Sequence, residues 1–129
     1  MIVADASVLI DFLLRSAAEP ELSELIATQD VLTAPAIVDL EVTNVLRRLV
    51  RTKAINLSTA ESALADFLDL RIERNGSTDT LWRIWEMRNN VSAYDAAYVV
   101  LAEMTDLPLY TRDSKLAATA GHGAKIILI

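Results

Sequence analysis

The side chains in this sequence that could do chemistry are its carboxylates. Four of them hold positions that call for an explanation: Asp5, Glu41, Asp95 and Asp113. Asp5 closes the apolar run Ile2-Val3-Ala4, and Asp113 comes just after Leu109-Tyr110-Thr111. Glu41 lies among Ile37, Val38 and Val45, with no Lys or Arg three or four residues away along a helix; Asn44 is its only polar companion one turn on. A carboxylate within an apolar stripe costs several kcal/mol, on the order given for buried ions, unless a cation or a proton compensates it. Asp95 and Asp113 each have a plain structural explanation. Ser92-Ala93-Tyr94-Asp95 reads as a capping pattern, and Asp113 can cap a helix beginning at Ser114. Taken together, four acids aimed at one rim point to a metal site. Oxygen-only donors select hard cations, Mg²⁺ or Mn²⁺, over zinc or copper. Such ions activate a water and stabilise the leaving oxygen of a phosphodiester. Ser7 and Thr111, each two residues from an acid, can hydrogen-bond to carboxylates or to metal-bound water.

Composition removes most competing chemistries. There is no cysteine, which excludes disulfides, thiolate catalysis and Cys-based metal sites, and His122 is the lone histidine. The three glycines, Gly76, Gly121 and Gly123, cannot write a phosphate loop or a dinucleotide fingerprint. The formal net charge of −6 argues against a nucleic-acid partner, unless divalent cations bind. Arg47, Arg48, Arg51 and Lys53 make a basic patch on this acidic chain, suited either to a solvated helix end or to a phosphate backbone. Arg112 and Lys115 flank Asp113 and are better placed to meet phosphate.

The elements that must position these groups alternate. Ile2–Ala4 and Val31–Ala34 read as buried strands, Leu70–Glu73 as a third, Leu109–Thr111 as a fourth and Ala124–Ile129 as a closing strand. Helices are expected over Ser7–Leu14, Glu19–Thr28, Ala36–Arg51 with Pro35 in its first turn, Ser58 to about Leu70 with a Ser58/Glu61 capping box, Thr78–Arg88, Ala93–Thr105 and Asp113–Ala120. Strands without polar alternation, separated by helices, predict an α/β sandwich with a parallel sheet of about five strands. With 129 residues, 53% hydrophobic and no linker or repeat, one domain over residues 1–129 is expected. In such sheets ligands bind beyond the carboxyl ends of the strands, where the acids fall. No uncharged stretch approaches the roughly eighteen residues of a membrane span, so a soluble cytoplasmic protein is expected.

The chain resembles the PIN-domain nucleases, most closely the VapC-like toxins of toxin–antitoxin pairs. The resemblance rests on Ile2-Val3-Ala4-Asp5-Ala6-Ser7, Glu41-Val42-Thr43-Asn44-Val45-Leu46, Ala93-Tyr94-Asp95-Ala96-Ala97-Tyr98 and Leu109-Tyr110-Thr111-Arg112-Asp113-Ser114-Lys115-Leu116, in that order. It implies a three-layer sandwich with strand order 3-2-1-4-5 and a Mg²⁺- or Mn²⁺-dependent endoribonuclease. Asp5, Glu41, Asp95 and Asp113 become its acidic quartet, supported by Ser7, Asn44 and Thr111. It also implies a homodimer and a VapB-like antitoxin whose C-terminal segment blocks the site, often through a basic side chain.

Other readings make different demands. A haloacid-dehalogenase-like phosphatase needs a second Asp two residues after the first, where this chain has Ser7. A receiver domain needs an Asp at the end of a central strand, and the 70–76 segment offers only Glu73. A non-catalytic metal-dependent RNA-binding module would keep the quartet without cleavage. Leu81, Trp82 and Trp85 form an apolar strip expected in the core, with an oligomer or antitoxin contact as the lesser reading. Asp11 and Asp39 are expected at the surface, Asp11 nearer the rim, and His122 is expected to be exposed and inert.

Overall fold

The first strand decides the layering. In the computed structural model, which describes residues 1–76 and 78–129, β1 (Ile2–Ala4) is buried at every position. Successive strand side chains point to opposite faces, so both faces of β1 are covered. Together with β2 (Leu32–Pro35), β3 (Ile72–Asn75), β4 (Leu109–Thr111) and β5 (Ile126–Leu128) it forms one sheet of order β3-β2-β1-β4-β5. Every pairing is parallel, and Val3 faces Thr33 on one side and Leu109 on the other. All carboxyl ends therefore share one edge. The order of the strands reverses between β1 and β4, the kind of switch point where α/β sheets bind ligands.

Among the described residues seven helices flank the sheet: α1 (Ala6–Arg15), α2 (Pro20–Ala27), α3 (Val38–Arg51), α4 (Leu57–Asp69), α5 (Leu81–Glu86), α6 (Ala93–Thr105) and α7 (Ser114–Ala117). A short 3₁₀ turn, Thr78–Thr80, leads into α5. Helix α6 lies against β1, β2 and β4, while α1 lies against β4 and packs on α2, α3 and α4. From Tyr98 to Ala102 every residue of α6 is buried, as expected of a helix in the core. Helix α3 buries Val38, Val42 and Leu46, a stripe at four-residue spacing. No helix among the described residues is long and apolar enough to cross a membrane.

Three local expectations are corrected. Pro35 ends β2 rather than opening a helix, and α3 begins at Val38. The Leu32 amide bonds to the Arg71 carbonyl just before β3 and the Ala36 amide to Asn75 at its end, so position 35 faces the β1 side. Pairing with β1 stops at Thr33, and a missing N–H at Pro35 therefore costs no ladder bond. Helix α4 is capped by Asn56, whose side chain accepts the Thr59 amide at 2.7 Å, and not by Ser58. An extended Asn just outside the first turn is a better acceptor than a serine already inside it. The third strand runs two residues later than Leu70–Glu73, because Leu70 terminates α4.

The strip on α5 is a larger correction. Trp82 is 80% exposed and Trp85 58%, with Leu81 also on the surface. Helical spacing alone cannot tell a core face from a contact face, and here no element among the described residues covers the strip. The Arg88 guanidinium sits 4.7 Å over the Trp85 ring.

Candidate active site

Asp5 is fixed by the elements on both sides of the switch point. Its backbone leaves β1 extended and its side chain caps α1, with Oδ1 accepting the Val8 amide at 3.1 Å. The Ser7 hydroxyl donates to the same oxygen at 2.5 Å, and the buried Thr111 hydroxyl donates to Oδ2. These hydroxyls are themselves held: Ser7 Oγ accepts the Arg112 amide and Thr111 Oγ1 the Asp113 amide, each at 2.9 Å. The end of β4 thus orients the acid at the end of β1. Asp5 is only 6% exposed. Burial raises its pKa, and the bonds from Ser7, Thr111 and the backbone oppose that rise without cancelling it.

Glu41, in the first turn of α3, is half-buried and accepts a 2.6 Å hydrogen bond from the Tyr98 hydroxyl on α6. Burial lifts its pKa, the Tyr98 bond lowers it, and the charges of Asp95 and Asp5 lift it again. Asp95 is raised by burial and then by the charges of Asp113 and Asp5. Charges on four chain segments thus act on one another, with Glu41 raised by Asp95 and Asp5, and Asp95 by Asp113 and Asp5. Tyr98 itself is pushed far above the ordinary phenol value by burial and by Glu41, so its hydroxyl stays a proton donor. Asp113 is exposed, and its side chain caps α7 by accepting the Lys115 and Leu116 amides at 2.8 and 3.4 Å.

Tyr98 is the residue that sequence reasoning missed. It stands three residues after Asp95, on the same face of α6, and that spacing was the available signal. Of the supporting groups expected from sequence, Ser7 and Thr111 do hold Asp5. Asn44 holds no carboxylate; it lines a 670 Å³ cleft that also includes Glu41, Arg47, Tyr94 and Asp95.

The cations fall into two groups. Arg112 is committed, with Nε to Asp11 at 2.9 Å and Nη2 to Glu19 at 2.6 Å. Asp11 does reach the neighbourhood of the rim, by way of this arginine. Asp39 is taken by Arg74 at 2.8 Å. Arg47, Arg48, Arg51, Lys53 and Lys115 form no ion pair among the described residues. His122 is partly buried, its Nε2 2.8 Å from the Thr119 carbonyl and its Nδ1 accepting the Ala124 amide, remote from the acids in its bonding.

No Lys or Arg pairs with Asp5, Glu41, Asp95 or Asp113 among the described residues. Nor do three or more acids there already stand at ligating spacing. The donor set is hard oxygen, concentrated at one rim, partly desolvated and self-repelling. That chemistry fits a divalent cation of the Mg²⁺ class and no softer metal.

A parallel α/β sheet with carboxylates beyond the strand ends at its switch point places a polar, acidic site where such sheets bind ligands, and the relatives make the class specific. The chain belongs to the PIN domain family, which matches residues 2–122. It is 38% identical to Ribonuclease VapC9 of Mycobacterium tuberculosis over 129 residues, covering 100% of this chain and 98% of that one. Among solved structures, PAE2754 from Pyrobaculum aerophilum superposes with a TM-score of 0.73 at 23% identity, covering 97% of this chain and 81% of that one. VapC20 of Mycobacterium tuberculosis, a sarcin–ricin loop cleaving toxin, gives 0.67 at 21% identity, covering 95% and 97%. The family and the strand order expected from the sequence are both found.

Proposed function

We propose that this chain is a Mg²⁺- or Mn²⁺-dependent endoribonuclease, a single domain over residues 1–129 acting in the cytoplasm as the toxin of a VapBC-like pair. The observation that carries the reading is that burial disfavours the charge on Asp5, Glu41 and Asp95, that Glu41 and Asp95 are each further raised by neighbouring acid charges, Asp5 among them, and that none of the three is paired with a basic side chain among the described residues. A ribonuclease relative at 38% identity over the full chain supports the choice of RNA.

In this reading Asp5, Glu41 and Asp95 hold the cation, with Asp113 at the outer side. The bound ion supplies an activated water and charge neutralisation at the phosphodiester. Ser7 and Thr111 keep both Asp5 oxygens aimed from a fixed rotamer, and Tyr98 does the same for Glu41. Hydrolysis joins the water oxygen to phosphorus and breaks the bond to the ribose oxygen. Arg47, Arg48, Arg51 and Lys115, which form no ion pair among the described residues, receive the RNA backbone; Arg112, already held by Asp11 and Glu19, contributes less.

The reading is tested with purified protein and RNA. Cleavage is expected with Mg²⁺ or Mn²⁺, to be lost with EDTA and restored by excess metal. RNA binding with no metal-dependent products would identify a non-catalytic module instead.

The partners in this reading are a VapB-like antitoxin whose basic C-terminal segment meets the carboxylates, and a second copy of the chain. The surface available for the second copy is the strip of Leu81, Trp82 and Trp85, since exposed apolar strips of this kind mark contacts. Trp82→Ser together with Trp85→Ser is expected to convert the dimer to monomer in light scattering. A wild-type protein that runs as a monomer, or a double variant that stays dimeric, sinks this assignment.

A further inference from the structure

The cleft beside the carboxylates lies between α3 and the start of α6, and its walls carry groups the chain does not use for itself. Tyr94 and Leu40 line it at 62% and 67% exposure, side chains that gain little from folding. Tyr94, Asn44 and Arg47 make no side-chain hydrogen bond or ion pair among the described residues, although each lines the cleft. Glu41 and Asp95 belong to both the cleft and the carboxylate rim. A chain whose phosphodiester sits on that rim can run a neighbouring nucleotide into this cleft. The volume of 670 Å³ lies inside the roughly 300–1,000 Å³ of small-molecule sites, room enough for an unstacked base with its ribose.

We propose that this cleft is a nucleobase subsite, in which the Tyr94 ring stacks on the base next to the scissile phosphate and Arg47 meets the following phosphate. The proposal rests on the ribonuclease reading and adds a substrate form to it: the RNA must be single-stranded at this position, because a paired base cannot leave its stack at low cost. The charge order agrees. The cation end of the cleft accepts the scissile group, apolar walls take the base, and a free guanidinium about six helical residues further on, roughly 9 Å along α3, takes the next negative charge. Tyr94 suits the stacking role because it is rigid, apolar in its body and already presented to solvent.

The test uses the whole protein with short single-stranded RNAs, some with 2-aminopurine and some with an abasic site beside the cleaved bond. Tyr94→Ala is expected to raise KM about tenfold or more, with the loss falling on KM and not on kcat. Tyr94→Phe and Tyr94→Trp are expected to restore KM, since either ring can stack. On the abasic RNA, wild type and Tyr94→Ala should have the same KM. With Ca²⁺ in place of Mg²⁺, binding of the 2-aminopurine RNA is expected to quench its fluorescence through Tyr94. If Tyr94→Ala cleaves with wild-type KM and leaves the quenching unchanged, the cleft serves a protein segment or nothing, and the subsite is overturned. A variant that loses kcat alone overturns it as well. A wild-type protein that cleaves no RNA in any metal removes the ribonuclease reading, whereas the 2-aminopurine quenching is read without cleavage and decides the subsite on its own.

Discussion

Asp5→Asn is expected to lower kcat/KM for RNA by about three orders of magnitude or more, roughly 4 kcal/mol of transition-state stabilisation, while the protein stays folded. The two halves of that expectation have different origins. Activity falls because the carboxylate becomes a neutral amide at the one acid that both β1 and β4 orient. The fold survives because most of the local bonding is kept. The asparagine carbonyl oxygen can still accept from the Val8 amide and the Ser7 hydroxyl, so the α1 cap remains. Only the contact with Thr111 is reversed. The amide nitrogen then faces a hydroxyl that already accepts the Asp113 amide, and the hydroxyl proton loses its acceptor. An unmade buried bond costs about 1–3 kcal/mol, and removal of a buried charge offsets part of it. Far-UV circular dichroism and a thermal melt check the fold; initial rates with Mg²⁺ check the chemistry. A variant that melts like wild type and keeps a tenth of the activity would remove Asp5 from the site.

Most of the framework was readable because it follows from local rules. Apolar unalternated strands, helices at 3.6-residue spacing and acids just beyond strand ends each need only a few consecutive residues to recognise. Asp5 and Glu41 stood out for the same reason: an acid after Ile2-Val3-Ala4 or among Ile37, Val38 and Val45 is out of place in its own neighbourhood. What escaped was long-range. The Tyr98 hydroxyl finds Glu41 across 57 positions of sequence, and Glu19 claims Arg112 across 93. No spacing rule states that an arginine beside a candidate site acid will already be neutralised by Asp11 and Glu19. Trp82 and Trp85 failed differently. Their periodicity was real, but whether a stripe is covered depends on a third element, which here is absent from the described residues. Pro35 shows a further limit: its place in β2 is decided by where its neighbour β1 stops.

The carboxylates also make a prediction about stability, with a sign opposite to that of ordinary ion-paired acids. Asp5, Glu41 and Asp95 all have folded-state pKa values raised above 3.8 or 4.5, with burial as the largest cause in each. A group whose folded value is raised stabilises the fold most when protonated. That contribution is complete below the ordinary carboxyl value and is lost as pH rises through the raised one. Glu103 works the other way, held below its ordinary value by Arg83, so its contribution fails on acidification below about its usual 4.5. Metal-free protein is therefore expected to melt higher near pH 5 than at pH 7, and adding Mn²⁺ at pH 7 is expected to recover the difference by mass action. Glu41→Gln isolates the effect. Glutamine keeps an oxygen for the Tyr98 hydroxyl and replaces the other oxygen, with the charge, by an NH2 group of nearly the same size. At pH 7 without metal, this variant is expected to melt a few degrees above wild type, because the charge that burial disfavours is gone. It should also lose RNA cleavage and most of the stabilisation by Mn²⁺. Calorimetry with EDTA and with Mn²⁺ at both pH values decides the matter. If Glu41→Gln melts below wild type without metal, the carboxylate is satisfied by the protein alone, and its cost cannot be what a cation relieves.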